Sequence, residues 1–96
     1  MAFTGSATLD FGSAPGTNVA TVAVTGQTGI LTGSNIECWV QGNDSTASHN
    51  AYEHALAAQL FTVSPTSVVA GTGFTIQGSS LEHRLTGTWT VRWVWV

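Results

Sequence analysis

The stretch GTWTVRWVWV, residues 87–96, decides the fold of this 96-residue chain. Large apolar side chains occupy every second position and share one face, and they are Trp89, Val91, Trp93 and Trp95. Smaller or polar residues, among them Arg92, fill the positions between them. Successive side chains of a β-strand point to opposite faces of a sheet, so this period of two predicts a strand over 87–96.

Shorter runs upstream predict further strands, and they cover residues 3–11, 18–25, 35–41, 61–63, 66–70 and 74–78. We expect Pro65 to separate the runs 61–63 and 66–70, and residues 30–32 to form a short edge piece or a bulge. Glycines between the runs mark turns. The pattern predicts one all-β domain over residues 1–96, a small antiparallel β-sandwich or jelly roll.

Residues 50–60 are expected to form one short helix. Tyr52, Leu56 and Leu60 recur at helical spacing, and four alanines lie among them. Asn50 followed by Glu53 resembles a capping box. The same stretch also alternates as a strand would, but its alanine content favours the helix.

The low charge of the chain excludes several functions. Charged residues make up 7% of it and the formal net charge is −3, so it offers no basic patch for the phosphates of a nucleic acid. No apolar stretch approaches the roughly 20 residues of a membrane span, so we expect no membrane insertion. The first residues lack the basic and apolar segments of a secretory signal, which predicts a protein made in the cytoplasm without a signal peptide.

Cys38 is the single cysteine, which excludes an intramolecular disulfide and a cysteine-based metal cluster. It alternates with Ile36 and Val40, so we expect a buried structural thiol. A chain this short buries only about two-thirds of its unfolded surface and needs further support. Without Lys, its strand edges also lack the charges that protect soluble monomers from pairing. These features predict a homo-oligomer, expected as a trimer.

His49, Glu53 and His54 form the densest cluster of chemically active side chains. On a helix, His49 and Glu53 lie one turn apart, and a zinc site needs three or four such ligands. Glu82 and His83 would have to complete the set from another loop. The cluster is thus a candidate metal site or the lining of an oligomer axis, with helix capping and local hydrogen bonds as the alternative. The five acids are scattered, so we expect no enzyme and no cofactor.

Trp39, Trp89, Trp93 and Trp95 are more tryptophans than a small core requires. Core packing is one explanation for them. Tryptophan is also enriched at the centres of protein interfaces, and an exposed indole can stack on a sugar ring. The four residues are therefore candidates for a subunit interface or for a ligand-stacking surface.

The motifs FG-x-x-P, GI-x-x-GS-x-IE-x-W-x-x-G and DST-x-x-HN-x-YEH precede the tryptophan-rich strand. Their residues are Phe11, Gly12, Pro15, Gly29, Ile30, Gly33, Ser34, Ile36, Glu37, Trp39, Gly42, Asp44, Ser45, Thr46, His49, Asn50, Tyr52, Glu53 and His54. With these motifs the chain resembles small structural (virion) proteins of tailed bacteriophages, a group with no agreed catalytic or ligand residues.

The resemblance implies a non-enzymatic virion structural protein, used for capsid decoration, in a head fibre, or in a tail or tail fibre. Its expected location is the virion, assembled in the host cytoplasm. Its expected partners are further copies of itself and other virion proteins. The alternative is a carbohydrate- or receptor-binding module that uses exposed tryptophans on host surface polysaccharide.

Overall fold

The computed structural model describes residues 2–42, 44–47, 49–80 and 84–96. Six strands and one helix form within these ranges. They are β1 (Phe3–Asp10), β2 (Val19–Val24), β3 (Ile36–Val40), α1 (Ala51–Leu60), β4 (Thr62–Val69), β5 (Gly73–Ser79) and β6 (Thr88–Trp95). The predicted all-β class with one short helix is confirmed.

The strands form two three-stranded antiparallel sheets, ordered β1-β6-β3 and β2-β5-β4. β6 is the central strand of the first sheet, and it pairs with β1 from Phe3 opposite Trp95 to Asp10 opposite Thr88. A jelly roll has eight strands, so the sandwich is the alternative that fits the described part of the chain. The alternation of β6 follows from this position, since one of its faces lines the core.

The core lies between the two sheets and contains the inward face of β6. Phe74 of β5 packs edge-on against Trp93 of β6, with ring centroids 5.6 Å apart. Gly5 of β1 leaves room for the same ring, because a Cβ at this position would overlap the Trp93 indole. Aromatic rings therefore join the two sheets where a smaller side chain would leave a gap.

The capping box predicted for α1 is present. The Asn50 side chain accepts a hydrogen bond from the Glu53 backbone N–H, and the Glu53 carboxylate accepts one from the Asn50 backbone N–H, both at 2.9 Å. The apolar residues whose spacing predicted the helix are not its buried face, however, since Tyr52 is 72% exposed and Leu56 46%. His54 and Ala57 face the protein instead. Leu60 lies outside the described side chains.

α1 packs against the sheet through His54 and Ala57, and the small side chain of Ala55 also lets it come close. The Cβ of Ala55 would lie 3.3 Å from a Cβ built on Gly42, just after β3, so this part of the helix approaches the end of β3 closely. Large residues are consequently left on the outer side of α1. No helix of the described residues has the length and apolar character needed to cross a membrane.

Two further expectations are corrected. β4 runs from Thr62 to Val69 through Pro65, because β4 is an edge strand and a proline there need not break the hydrogen-bond ladder. Its irregularity comes later, between Thr66 and Val69. Residues 30–32 lie in a loop instead of an edge strand, and Ile30 is buried there.

Candidate functional site

Three of the four tryptophans belong to the core. Trp89, Trp93 and Trp95 are only 5–6% exposed. Each is covered by a different ring: His49 stacks on Trp89 at 3.6 Å, Phe74 meets Trp93 edge-on, and Phe3 stacks on Trp95 at 4.5 Å. Rings enclosed to this extent offer no face for stacking on a ligand, so the core explanation holds for these three and the stacking assignment is corrected, while an edge of Trp95 also lines the cleft described below.

Trp39 is the exposed tryptophan of the four. It lies on the outer face of β3, where 40% of its surface is exposed. Its indole N–H donates to the Gln41 side-chain oxygen at 3.2 Å. This hydrogen bond ties the ring to a residue just after its own strand, so Trp39 presents an aromatic surface held in position.

Arg92 lies directly opposite Trp39 on β6 and is bound to Asp44. Arg92 Nε donates to Asp44 Oδ2 at 2.8 Å, and a second guanidinium nitrogen donates to Oδ1. The hydrogen bonds from Arg92 hold the pKa of the Asp44 carboxyl below its ordinary value of 3.8. The paired carboxylate therefore fixes the guanidinium beside the Trp39 ring.

The rest of this outer face is mostly polar, although Val94 of β6 also lies on it. Thr4, Ser6 and Thr8 of β1 expose their side chains on it, and Glu37 of β3 lies on the same side as Trp39. We name the surface around Trp39, Arg92 and Gln41 the Trp39 face. It combines one apolar ring with planar polar groups and nearby hydroxyls, a mixture suited to polyhydroxylated ligands.

The histidine cluster completes the edge of β6. β3 ends at Val40, opposite Val91, while β6 extends to Thr88. Beyond Val40, side chains take the place of a neighbouring strand: Thr46 Oγ1 donates to Thr88 O at 2.7 Å, and His54 Nε2 accepts from the Thr90 N–H at 3.0 Å. The segment from Asp44 to His54 thus satisfies backbone groups that a longer β3 would have paired.

His54 is fully buried and uses both ring nitrogens in this way. Its Nδ1 lies 3.0 Å from the Asn50 carbonyl, to which it donates. The Thr90 backbone N–H can only donate, so Nε2 must accept and the imidazole is neutral. Neither nitrogen points toward a shared site with the other two members of the cluster.

His49 and Glu53 do come together. His49 Nδ1 lies 3.6 Å from a Glu53 carboxylate oxygen, and His49 Nε2 lies 2.8 Å from the Thr86 carbonyl. The hydrogen bond from the Asn50 N–H, with a smaller contribution from His49, lowers the pKa of Glu53. His49 therefore bridges the start of α1 to the chain just before β6.

The metal-site interpretation of His49, Glu53 and His54 is corrected by this geometry. Among the described residues, no group of three or more His, Cys, Asp and Glu side chains is arranged to hold a metal ion. Glu82 and His83, which were to complete the set, lie outside the described residues. The capping and local hydrogen-bonding alternative accounts for the contacts of the three residues.

Cys38 faces inward from β3 and is partly buried. Burial raises the pKa of its thiol to about 11, which keeps it protonated and a poor nucleophile. The prediction of a structural thiol fits this environment.

An open cleft at one end of the sandwich was not among the features predicted from the sequence. The cleft has a volume of about 630 Å³, and Leu31, Ala70, Trp95 and Val96 supply its apolar walls. Leu31 is 66% exposed at its rim. One feature of the sequence does bear on it. Ile30 and Leu31 are adjacent in a glycine-rich loop. Two neighbouring side chains rarely both point into the core, so one of this apolar pair is expected to be exposed.

Comparison of the chain with protein-family models, with curated proteins and with solved structures finds no match.

Proposed function

We propose that this protein is a non-enzymatic structural component of a phage virion, used in capsid decoration or in a tail or tail fibre, and that it acts as a homo-oligomer. The observation that carries the proposal is the exposure of large apolar side chains on a chain of very low charge. In the described part of the chain these are Phe3, Val19, Leu31, Trp39, Tyr52, Leu56, Val69 and Val96. Where such side chains form a contiguous patch, the patch marks a surface that a neighbouring molecule covers.

The strand edges support the same proposal. β1, β2, β3 and β4 are all edge strands, and their only charged side chains are Asp10 and Glu37. Monomeric sheet proteins protect such edges with lysines, prolines or covering elements. Here Pro65 in β4 is the one proline on an edge strand. Packing between copies or against other virion proteins would cover the remaining edges.

The motif resemblance described above supports the virion assignment within this class. A particle also supplies a high local concentration of subunits, and by mass action this stabilises a fold that gains free energy from its neighbours. Other virion proteins are therefore expected partners besides the chain itself.

Light scattering after size-exclusion chromatography tests the oligomer. At micromolar concentration we expect a species larger than the 10.0 kDa chain, with three copies as the expected number. A single copy at that concentration would contradict the proposal. Mass spectrometry of purified virions tests the location, and we expect peptides of this chain in intact particles after free protein has been removed.

The Trp39 face supports a second candidate function, binding of host surface polysaccharide. Trp39 is exposed and anchored through Gln41, with the Arg92–Asp44 pair beside it. A protein partner would bury the central ring in a well-packed pocket from which water is excluded, whereas a sugar ring needs one aromatic face and polar groups at its rim. The mixture present on this face favours the sugar.

Tryptophan fluorescence tests this second candidate. The other three tryptophans are buried, so acrylamide should quench Trp39 first, and purified host polysaccharide should protect it. Trp39→Ala should abolish the response, while Tyr52→Ala, which removes a more exposed aromatic ring from α1, should leave it intact. A response that survives Trp39→Ala would exclude this face as the binding site.

A further inference from the structure

Half of the exposed large apolar side chains gather at one end of the sandwich. Phe3 begins β1 and stacks on Trp95, and Val96 directly follows that residue. Leu31 and Ala70 line the cleft together with Trp95 and Val96, and Val69 precedes Ala70. We name the surface formed by Phe3, Leu31, Val69, Val96 and this cleft the apolar end.

We propose that the apolar end is the surface through which copies of this chain contact one another around the symmetry axis of the oligomer. The inference rests on the proposed homo-oligomer and names its interface. A closed rotation axis that passes near one end of each chain brings that end of all copies together. All the exposed side chains of the apolar end would then leave water in one step.

Charge favours a second copy as the occupant. Each chain carries a formal net charge of −3, so identical chains repel each other weakly at a distance, and a contact between them is least costly where the meeting surfaces place no like charges side by side. The described residues that line the cleft include no charged side chain. By contrast, the Trp39 face carries Glu37, Asp44 and Arg92. The apolar end is therefore the better of the two surfaces for contact between like-charged copies.

The shape of the apolar end also fits a contact with itself. Leu31 is exposed at the rim, and Trp95 lines the cleft beside it. A surface with both a projecting apolar side chain and an apolar cleft can fill its own depression with the side chain of another copy. The other exposed apolar pair, Tyr52 and Leu56 on α1, projects from the outer side of the helix, away from this cleft.

Introducing a charge at the rim tests the proposal. Leu31→Asp would bring carboxylates from all copies close together around the axis, and like charges at an interface cost several kcal/mol. We therefore expect association to weaken by at least about 100-fold, leaving the 10.0 kDa chain at micromolar concentration in light scattering. Tyr52→Asp is the matched control, because it places the same charge on an equally exposed apolar site elsewhere, and its oligomer should persist.

A labelling experiment keeps the proposal testable if Leu31→Asp fails to fold. In a Cys38→Ala background, a cysteine introduced by Leu31→Cys should react slowly with a maleimide in the assembled protein, while one introduced by Tyr52→Cys should react fast. Equal rates in an oligomer, or an oligomer that survives Leu31→Asp, would overturn the apolar end as the interface and leave the homo-oligomer standing. A wild-type monomer would instead remove the proposed oligomer itself.

Discussion

At the scale of single residues, His54 shows how a polar side chain can be required in the interior. It is fully buried, and it gives the Thr90 N–H an acceptor that no strand supplies. A buried backbone donor without a partner is costly. The helix therefore needs a residue that is long enough to reach β6 and that has an acceptor at its end.

Replacing His54 with Leu should remove this acceptor at similar volume. The unpaired Thr90 N–H should lower the free energy of unfolding by about 1–3 kcal/mol, measured by urea denaturation. His54→Gln is the control, because its side-chain oxygen can accept the same hydrogen bond, and it should lose less. Equal losses in the two variants would argue that packing, and not this hydrogen bond, explains the residue.

Gly5 is required for a different reason, its missing side chain. A Cβ there would overlap the Trp93 indole, so Gly5→Ala should destabilise the fold by about 1–3 kcal/mol through overpacking. A weakened near-ultraviolet circular dichroism signal would report the displaced ring. Gly33→Ala is the matched control, since nothing lies within 4 Å of its Cβ position, and it should unfold like the wild type.

At the scale of elements, the sequence predicts what each segment is better than what it contacts. β6 alternates because one face lines the core, so its period is visible in the sequence. Asn50 and Glu53 mark the start of α1 in the sequence, and the capping box that they predict is present in the structure. Its buried face was missed, because contact with the end of β3 selects small residues and His54 over Tyr52 and Leu56.

The ion pair between Asp44, in the loop after β3, and Arg92 of β6 makes the free energy of unfolding depend on pH. Arg92 lowers the folded-state pKa of Asp44 below 3.8, so its stabilisation is present above that value and is lost as the pH falls through the lower folded value. Asp44→Asn should therefore be less stable than the wild type by about 1 kcal/mol at neutral pH, since Arg92 is partly exposed.

Urea denaturation of both proteins over a range of pH measures this difference. The two stabilities should converge in acid, where Asp44 of the wild type also becomes neutral. Glu53 titrates in both proteins and so does not affect the comparison. A gap that stays constant down to the lowest pH would mean that the Asp44 charge does not contribute.

At the scale of the whole molecule, the chain has limited means of stabilising itself. It has a small core and no disulfide. The buried indole N–H groups of Trp89 and Trp93 have no acceptor among the described residues, and each such group costs about 1–3 kcal/mol. Further stabilisation from neighbouring copies is consistent with this balance.

The melting temperature should therefore depend on protein concentration. Association of folded chains adds stability by mass action, so each tenfold dilution should lower the Tm by roughly a few degrees, followed by calorimetry or circular dichroism. Leu31→Asp should melt at one temperature at all concentrations if the apolar end is the interface. A wild-type Tm that ignores dilution would contradict a contribution from association.

The candidate surfaces differ in how far the sequence anticipates them. Trp39 is exposed as the alternation of its strand implies, because its neighbours Cys38 and Val40 point inward. The sequence does not predict that His49 stacks on Trp89 or that Phe3 stacks on Trp95, because the members of each pair lie far apart in the chain. The apolar end was missed for the same reason, because it brings together the start of β1, the loop that contains Leu31, the end of β4 and the chain at the end of β6.

The replacement of a strand by side chains next to β6 has a consequence for how the protein fails. If the segment from Asp44 to His54 were cleaved or detached, the Thr88 carbonyl and the Thr90 N–H would lose the partners that now occupy them. Unpaired backbone groups at a strand edge can form hydrogen bonds with an extended segment of another polypeptide. Repeated pairing of this kind can add chain after chain without limit. Thr46 and His54 therefore occupy backbone groups that would otherwise be open to pairing of this kind.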